Sequence, residues 1–454
     1  MSGSSKLMLA FYGDDFTGST DAMEALALSG LRTVLFLSPP TPQLLRERFP
    51  DLDCVGVAGT SRAMSPAEMD AELAPILDAL WALKAPLTHY KVCSTFDSAP
   101  DVGNIGHVAD MARARLEPAG AISIVAGAPP LRRYTLFGHH FAAAGDEIFR
   151  LDRHPTMSRH PVTPMHEADL RAHLSAQTNA SIDLMSLPEL AGDEASVDAL
   201  RAQKKAKLVL YDLFDDASMR SVGRLLWQEA RREPRFAIGS SGVEYALTAH
   251  WRASGTIGSQ SVDFAPPTRA EQLLVLSGSA SPMTAQQIQW AGEHGFECIR
   301  APTNELSTAQ SAEKASAALL DRALAALSSG KSMVIYTATG PDDASIAATR
   351  AQLMQSGGDA KNTAKVLGAE LGRLARELIV RSRLRRVVIA GGDTASYATR
   401  ELGLYALEMR APLTPGAPLC RGYSDDARLD GLEIALKGGQ MGRADYFGLA
   451  LGAH

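Results

Sequence analysis

Residues 11–21, FYGDDFTGSTD, decide the fold of this chain. The apolar residues before Gly13 predict a buried strand, and the TGST run at 17–20 predicts the start of a helix. In parallel α/β sheets, ligands bind just beyond the carboxyl ends of strands, so Asp14 and Asp15 are expected to contact a substrate. The alternative is that both acids are solvated turn residues and that Ser19 or Thr20 caps the helix.

The same strand-then-helix pattern recurs over almost the whole length. Short apolar runs alternate with amphipathic stretches, which is typical of a mostly parallel sheet with helices on both faces. The apolar runs are 7–13, 33–37, 53–59, 88–95, 121–127, 181–187, 207–213, 235–242, 272–279, 333–339, 386–393 and 433–439. The sequence therefore predicts the α/β class.

One irregular segment interrupts this alternation. SQSVDFAPPTR, residues 259–269, contains Pro266 and Pro267 and is interpreted as a linker. We predict two domains, 1–258 and 272–454, joined by a linker at 259–271. Each domain is expected to contain a mostly parallel sheet flanked by helices, with the active site in the cleft between them.

Composition excludes several classes of protein. The 454 residues include 45 Lys and Arg against 51 Asp and Glu, a net charge of −6, which argues against binding nucleic acid by phosphate neutralisation. The four cysteines form no CxxC pair, so a zinc ribbon or thioredoxin-like site is not expected. There is neither a signal peptide nor an apolar run of eighteen residues, so we predict a cytoplasmic protein without membrane contact.

Further polar residues follow other strands of the first half. Arg62 comes after the third apolar run, and Lys91 and Ser94 come at the end of the fourth. Two cations at an edge that already holds two acids suit an anionic, hydroxyl-rich small substrate, and the planar fork of Arg suits a carboxylate. Taken singly, each cation could equally belong to a surface ion pair.

Small-residue turns follow three strands of the second half, in LVLSGSAS (274–281), VVIAGGDTAS (387–396) and IALKGGQMG (434–442). Glycine lets backbone N–H groups approach phosphate oxygens, and a helix from Thr394 would add its positive end. Three such turns predict a phosphate site. The SGKS run at 329–332 is not a phosphate loop, because Ala325 replaces the first glycine and a strand follows instead of a helix.

The segment 128–165 is rich in proline and holds His139, His140, His154 and His160. A metal site is one interpretation, but the histidines lack the i, i+4 spacing of a helical ligand pair, so a loop without metal is favoured. We therefore assign no metal ligands in the chain. A loop of this length in a compact domain is more often functional than not.

Together these motifs resemble the four-carbon acid sugar kinase family. The matching runs are GDDFTGSTD (13–21), KVCSTFDS (91–98), GNIG (103–106), HPVTPM (160–165), VLSGSASPMT (275–284), AGGDTAS (390–396) and ALKGGQMG (435–442). The resemblance implies an amino-terminal acid-sugar domain, a carboxyl-terminal nucleotide domain, and ATP-dependent phosphorylation of threonate, erythronate or a 3-oxo-tetronate. It also implies a role near the sugar acid for the segment 128–165.

The resemblance also implies site residues. Those facing the acid sugar would be Asp14, Asp15, Thr17, Arg62 and Lys91, with Ser94 beside them; those contacting ATP would be Ser277, Gly391, Gly392, Asp393, Thr394 and Gly439. We expect transfer of phosphate from ATP with Mg²⁺ to the terminal 4-hydroxyl. Asp15 is the expected general base, and Asp393 is the rival unless it serves magnesium.

Two other classes of protein remain compatible with this pattern. A nicotinamide-dependent sugar-acid dehydrogenase also uses two α/β domains, although GxGxxG is absent. A two-lobed sugar-acid binding protein without catalysis fits as well, although it would require export. The expected partners are a small sugar acid and ATP, and a homo-oligomer is compatible with the sequence.

Overall fold

The computed structural model describes residues 7–160, 162–259 and 262–452. Pro161 of the HPVTPM run, and Gln260 and Ser261 of the predicted linker, lie outside these ranges. The chain divides into two compact units between Asp263 and Phe264.

The first unit is built on a parallel sheet. Its strands are β1 (Leu9–Gly13), β2 (Thr33–Phe36), β3 (Cys54–Ala58), β4 (Leu87–Lys91), β5 (Ile122–Val125), β6 (Arg133–Leu136), β7 (His139–Ala144), β8 (Glu147–Arg150), β9 (Ile182–Met185), β10 (Leu208–Tyr211) and β11 (Arg235–Gly239). Within this unit the order β2-β3-β1-β4-β11-β5-β10-β9 is parallel throughout. Strands such as β1 and β4 are buried along their whole length, because helices cover both faces.

The helices of the first unit connect consecutive strands or pack beside them. They are α1 (Phe16–Ala27), α2 (Pro42–Arg48), α3 (Pro66–Ala82), α4 (Ile105–Leu116), α5 (Leu170–Ser175), α6 (Leu187–Leu190), α7 (Glu194–Gln203), α8 (Asp216–Arg232) and α9 (Gly242–Ala253). The cap of α1 is the side chain of Asp15 and not Ser19 or Thr20: its Oδ1 accepts a hydrogen bond from the Gly18 N–H at 2.9 Å. Asp15 therefore stabilises the start of α1 and has a structural role at this junction.

The segment 128–165 is more ordered than the sequence predicted. Strands β6, β7 and β8 form a separate antiparallel sheet inside it. Gly138 and Gly145, at the two turns of this sheet, have φ of 81° and 60°, which glycine adopts without strain. The expectation of an irregular loop was wrong here, because the prolines lie outside the three strands.

The strands of the second unit are also mostly parallel. Its strands are β12 (Leu274–Ser277), β13 (Glu297–Arg300), β14 (Met333–Tyr336), β15 (Arg386–Ala390), β16 (Ala406–Thr414), β17 (Ala417–Tyr423) and β18 (Glu433–Lys437). The order β13-β14-β12-β15-β18 is parallel, and β17 and β16 continue it as an antiparallel hairpin. The α/β class with mostly parallel strands flanked by helices is confirmed, and the antiparallel hairpin is an addition to it.

The helices of the second unit are α10 (Pro282–Glu293), α11 (Thr303–Leu306), α12 (Ala309–Ser328), α13 (Ala344–Gln355), α14 (Thr363–Ser382), α15 (Gly392–Glu401) and α16 (Tyr446–Leu451). Helix α15 begins at Gly392, two residues earlier than the expected start at Thr394. Among the residues that the structure describes, no helix has both the length and the apolar character needed to cross a membrane.

Candidate active site

The carboxyl ends of four neighbouring strands form one row in the first unit. Gly13 of β1 is in register with Ala58 of β3 and Lys91 of β4, and Lys91 is in register with Gly239 of β11. Three of these residues are small, so Lys91 supplies the one long side chain in this row. The polar residues predicted from the sequence gather just beyond it.

Asp15 is held as an anion by several partners. Its Oδ2 accepts a hydrogen bond from the Thr17 hydroxyl at 2.6 Å and lies 3.1 Å from Arg62 Nη1. Burial raises the pKa of this carboxyl, but Arg62, Lys91 and the hydrogen bonds from Thr17 and Gly18 outweigh it, so the pKa is lowered. Asp15 is therefore ionised, and its oxygens are already engaged within the protein.

Asp14 has the opposite environment, although it is the adjacent residue. Its side chain is buried, and Oδ1 has no hydrogen-bond partner within the described structure. Burial, and then the charge of Asp15, raise the pKa of Asp14 to about 7. A carboxyl with a pKa near neutrality can both accept and release a proton under ordinary conditions.

Lys91 is a buried cation with carboxylates around it. Its Nζ lies 3.6 Å from Asp21 Oδ2. Burial lowers the pKa of Lys91, but Asp21 and Asp15 raise it by more, so the lysine remains charged. Asp21 was not singled out from the sequence, although it ends the FYGDDFTGSTD stretch. Its position on α1 brings its carboxylate next to Lys91.

The structure brings Ser94 close to the small antiparallel sheet. His140 Nε2 donates to the Ser94 carbonyl at 2.8 Å, and the Thr135 hydroxyl, 3.0 Å from Nδ1, donates to the ring. Burial lowers the pKa of His140 to about 4, so the ring is neutral. His140 thus anchors the chain after β4. The residues described contain no group of three or more His, Cys, Asp or Glu side chains that could hold a metal ion.

The second unit repeats the row of strand ends with different chemistry. Ser277 of β12 is in register with Ala390 of β15, which is in register with Lys437 of β18. Gly278 and Gly391 follow the first two strands. A Cβ on Gly278 would lie 1.9 Å from Thr394 Oγ1. The turn after β12 can therefore approach the start of α15 this closely only because residue 278 has no side chain.

The first turn of α15 has the features expected of an anion-binding element. Gly391 caps it with φ of 118°, a conformation that favours glycine, and Thr394 is buried while Asp393 is exposed. The first N–H groups of a helix have no intrahelical acceptor and attract phosphate. One exposed carboxylate at such a turn suits Mg²⁺, which takes one or two protein carboxylates together with phosphate oxygens.

Gly439 lies in the third turn, against the start of α10. Its carbonyl accepts hydrogen bonds from the Ser281 and Thr284 hydroxyls, both at 2.8 Å. Lys437, two residues earlier, is fully buried and was missed at the level of sequence. The available signal was a lysine directly after the apolar run 434–436 and immediately before two glycines.

Comparisons with known proteins agree with this division of chemistry. The profile described as "Sugar-binding N-terminal domain" matches residues 9–247, and "Nucleotide-binding C-terminal domain" matches 274–447. A 3-oxo-isoapionate kinase of Paraburkholderia graminis is 46% identical over 98% of this chain and 94% of its own. A 3-oxo-tetronate kinase of Cupriavidus necator is 31% identical over 98% of this chain and 96% of its own.

An experimental structure shares the fold. The crystal structure of a protein from Salmonella typhimurium LT2 matches with a TM-score of 0.74 at 24% identity, covering 97% of this chain and 98% of that one.

A sugar-binding unit with buried carboxylates and cations, and a nucleotide-binding unit with glycine turns, define a two-domain carbohydrate kinase. Within that class, the chain belongs to the four-carbon acid sugar kinase family, whose curated members it matches over almost its full length. The family resemblance and the kinase activity inferred from the sequence motifs are thereby confirmed.

Proposed function

We propose that this sugar-acid kinase transfers the γ-phosphoryl group of ATP to the terminal hydroxyl of a 3-oxo sugar acid, with a four-carbon tetronate as the reference substrate. The observation that carries the proposal is the pair Asp14 and Asp15, adjacent buried acids with pKa shifts in opposite directions, beside Arg62 and Lys91. The names of the two relatives support a 3-oxo acid as the substrate class.

The cations give the sugar acid its binding energy. The Arg62 side chain is 20% exposed. Its planar guanidinium group can donate hydrogen bonds to a substrate carboxylate while it remains close to Asp15. Lys91 contributes positive charge from its buried position at the end of β4. The hydroxyl groups of Thr17 and Ser94 form hydrogen bonds with the hydroxyl groups of the sugar acid. Asp15, held as an anion, keeps Arg62 and Thr17 in position beside the substrate.

Asp14 is the general base in this proposal, in preference to Asp15. The terminal hydroxyl gives its proton to Asp14, its oxygen forms a bond to the γ-phosphorus, and the bond from that phosphorus to the bridging oxygen of ADP breaks. Asp15 is the weaker candidate because Arg62, Thr17 and the Gly18 N–H already occupy its oxygens. Asp393 remains the rival from the second unit.

The nucleotide is bound in this proposal by Ser277, Gly391, Gly392, Thr394 and Gly439. Backbone N–H groups at the start of α15 bind phosphate oxygens and stabilise negative charge as the γ-phosphoryl group is transferred. Asp393 would hold Mg²⁺, which neutralises phosphate charge when bound. Positioning and charge stabilisation therefore account for most of the catalysis.

The test is an ADP-release assay with ATP and Mg²⁺ against 3-oxo-tetronates, 3-oxo-isoapionate, threonates and erythronates. We expect turnover with a 3-oxo acid and a product whose proton-coupled ³¹P signal is a triplet, because the ester then lies on a CH₂ group. A doublet would move the phosphate to a secondary hydroxyl. Binding of these acids without ADP release would instead support the binding-protein class, and NADH-dependent reduction the dehydrogenase class.

A further inference from the structure

Lys437 occupies a distinctive position at the end of β18. It is in register with Ala390 of β15, the residue before the Gly391 cap, and it directly precedes Gly438 and Gly439. Its side chain is 0% exposed. A fully buried lysine is rare unless it is paired, so its surroundings need an explanation.

The contacts of Lys437 contain no carboxylate in the part of the chain that the structure describes. Its Nζ donates to Thr284 Oγ1 at 3.1 Å and to the Gly439 carbonyl at 3.4 Å, and lies 5.9 Å from the Tyr446 ring centroid. The Tyr446 hydroxyl donates to the Ala417 carbonyl. Burial alone lowers the pKa of Lys437 to about 7.

These contacts orient one peptide group of the glycine turn. The Gly439 carbonyl accepts hydrogen bonds from Ser281, Thr284 and Lys437. In a planar trans peptide the next N–H points away from the carbonyl. The Gln440 N–H therefore points away from the side on which the Gly439 carbonyl accepts these hydrogen bonds. A Cβ on Gly439 would lie 2.6 Å from Ser279 Oγ, so the turn also lies close to the residues that follow β12.

We propose that Lys437 is a positioning residue of the nucleotide site that takes up a proton when the phosphates of the nucleotide bind. With Thr284 it holds the Gly439 carbonyl inward, so that the turn after β18 presents N–H groups to phosphate oxygens. Bound phosphates add negative charge close to a lysine that has no carboxylate partner, and this charge raises the affinity of the lysine for a proton. This inference rests on the proposed use of ATP.

Calorimetric titration of the full chain with a non-hydrolysable ATP analogue and Mg²⁺ at pH 8, in buffers of different ionisation enthalpy, measures the proton uptake. We expect the wild type to take up close to one proton. Lys437→Met should lose this uptake and bind the analogue about 10-fold more weakly or worse, the range for a lost charged hydrogen bond. Its KM for ATP should rise while its KM for the sugar acid stays the same.

Two further variants separate a positioning role from a general loss of structure. Thr284→Val should weaken analogue binding but keep the proton uptake. Lys331→Met is the matched control, because Lys331 is half exposed and pairs with Glu297 on the surface; it should bind and take up protons as the wild type does. Lys437→Met should melt no lower than the wild type, since it removes a buried amine that has no carboxylate partner among the described residues.

Unchanged affinity and unchanged proton uptake in Lys437→Met would overturn the role of Lys437 while leaving ATP as the donor. Failure of the wild type itself to bind the analogue would instead overturn the proposed use of ATP, and this inference with it.

Discussion

Asp14 and Asp15 are adjacent in sequence but differ in protonation behaviour. Asp15 caps α1 and lies 3.1 Å from Arg62, whereas Asp14 is buried with an oxygen that lacks a partner within the described residues. Two nearby carboxyls whose pKa values are pushed apart are typical of acid–base sites. The difference in pKa between Asp14 and Asp15 is therefore set by their hydrogen-bond and charge partners and by burial.

Asp14→Asn tests the base directly. Removal of a positioned base costs about 10²–10⁴-fold in rate. Because the Asp14 pKa is about 7, wild-type kcat/KM should rise with pH up to that value and then level off; the variant should lack this limb. Asp15→Asn and Asp393→Asn are the comparisons. If Asp393→Asn abolished turnover and Asp14→Asn kept the limb, the base would lie in the second unit.

The same variant has a stability signature of defined sign. The pKa of Asp14 is about 7 in the folded protein against 3.8 for an ordinary Asp carboxyl, so the folded protein binds the extra proton between those values. Asp14 therefore favours folding at low pH, and this contribution is lost as pH rises through 7. Thermal unfolding of Asp14→Asn relative to wild type should show more stabilisation at pH 8 than at pH 5.

Lys91 and Lys437 illustrate how environment controls a buried charge. Both are the last residue of a central strand and both are buried. Asp21 and Asp15 raise the pKa of Lys91, whereas Lys437 has only burial acting on it and its pKa falls to about 7. The surroundings of Lys91 suit a permanent cation. Those of Lys437 suit a lysine that becomes charged when the ligand binds.

At the scale of elements, the start of α1 is packed closely against the charged side chains of the candidate site. Gly18 lies in the first turn, and a Cβ there would be 2.4 Å from both Asp15 Oδ1 and Lys91 Nζ. The helix thus approaches both charged groups closely only because residue 18 has no side chain.

Gly18→Ala should raise KM for the sugar acid and lower kcat, because Asp15 or Lys91 must move. Gly292→Ala is the matched control: it lies in helix α10, and its Cβ would meet only Cys298 Sγ at 3.7 Å, an ordinary contact. That variant should keep its kinetics and gain up to about 1 kcal/mol of stability, the usual preference of a helix for Ala. Steady-state kinetics and thermal unfolding of both proteins measure these effects. Wild-type kinetics in Gly18→Ala would show that the close approach is not needed.

Element prediction from sequence succeeded for strands buried on both faces and failed for antiparallel ribbons. Strands such as β1 and β3 are continuous runs without polar side chains that lead into glycine, which is a strong signal. Strands β6 to β8 and the hairpin β16–β17 have partly exposed faces, so their sequences mix polar and apolar residues. Their identity depends on pairing with neighbours, which local composition does not encode.

At the scale of the whole molecule, the net charge of −6 cannot attract two anionic ligands. Each unit must therefore supply its own local attraction. In our proposal this attraction comes from Arg62 and Lys91 in the first unit, and from the start of α15 with the glycine turns in the second. The two ligands should accordingly respond to different substitutions.

Arg62→Met should abolish the stabilisation of the protein by sugar acid and leave that by nucleotide intact. A ligand at about 100 times its Kd adds about 2.7 kcal/mol to the free energy of unfolding, which is easily seen as a shift in Tm. Arg115→Met is the control, since Arg115 lies in the last turn of α4 and pairs with Asp78 on the surface. Loss of both ligand responses in Arg62→Met would show that the two sites do not act separately.

The sequence alone determined the α/β class, most of the parallel strands, and the strand-end motifs at which the proposed site residues lie, because apolar runs and glycine turns are local signals. It also determined the family, since the motifs match along the whole chain. Only the tertiary structure separated Asp14 from Asp15, and only it revealed Asp21 and Lys437. Burial and charge–charge distances depend on residues far apart in sequence, so a pKa of about 7 at Asp14 or Lys437 emerges only once the chain is folded.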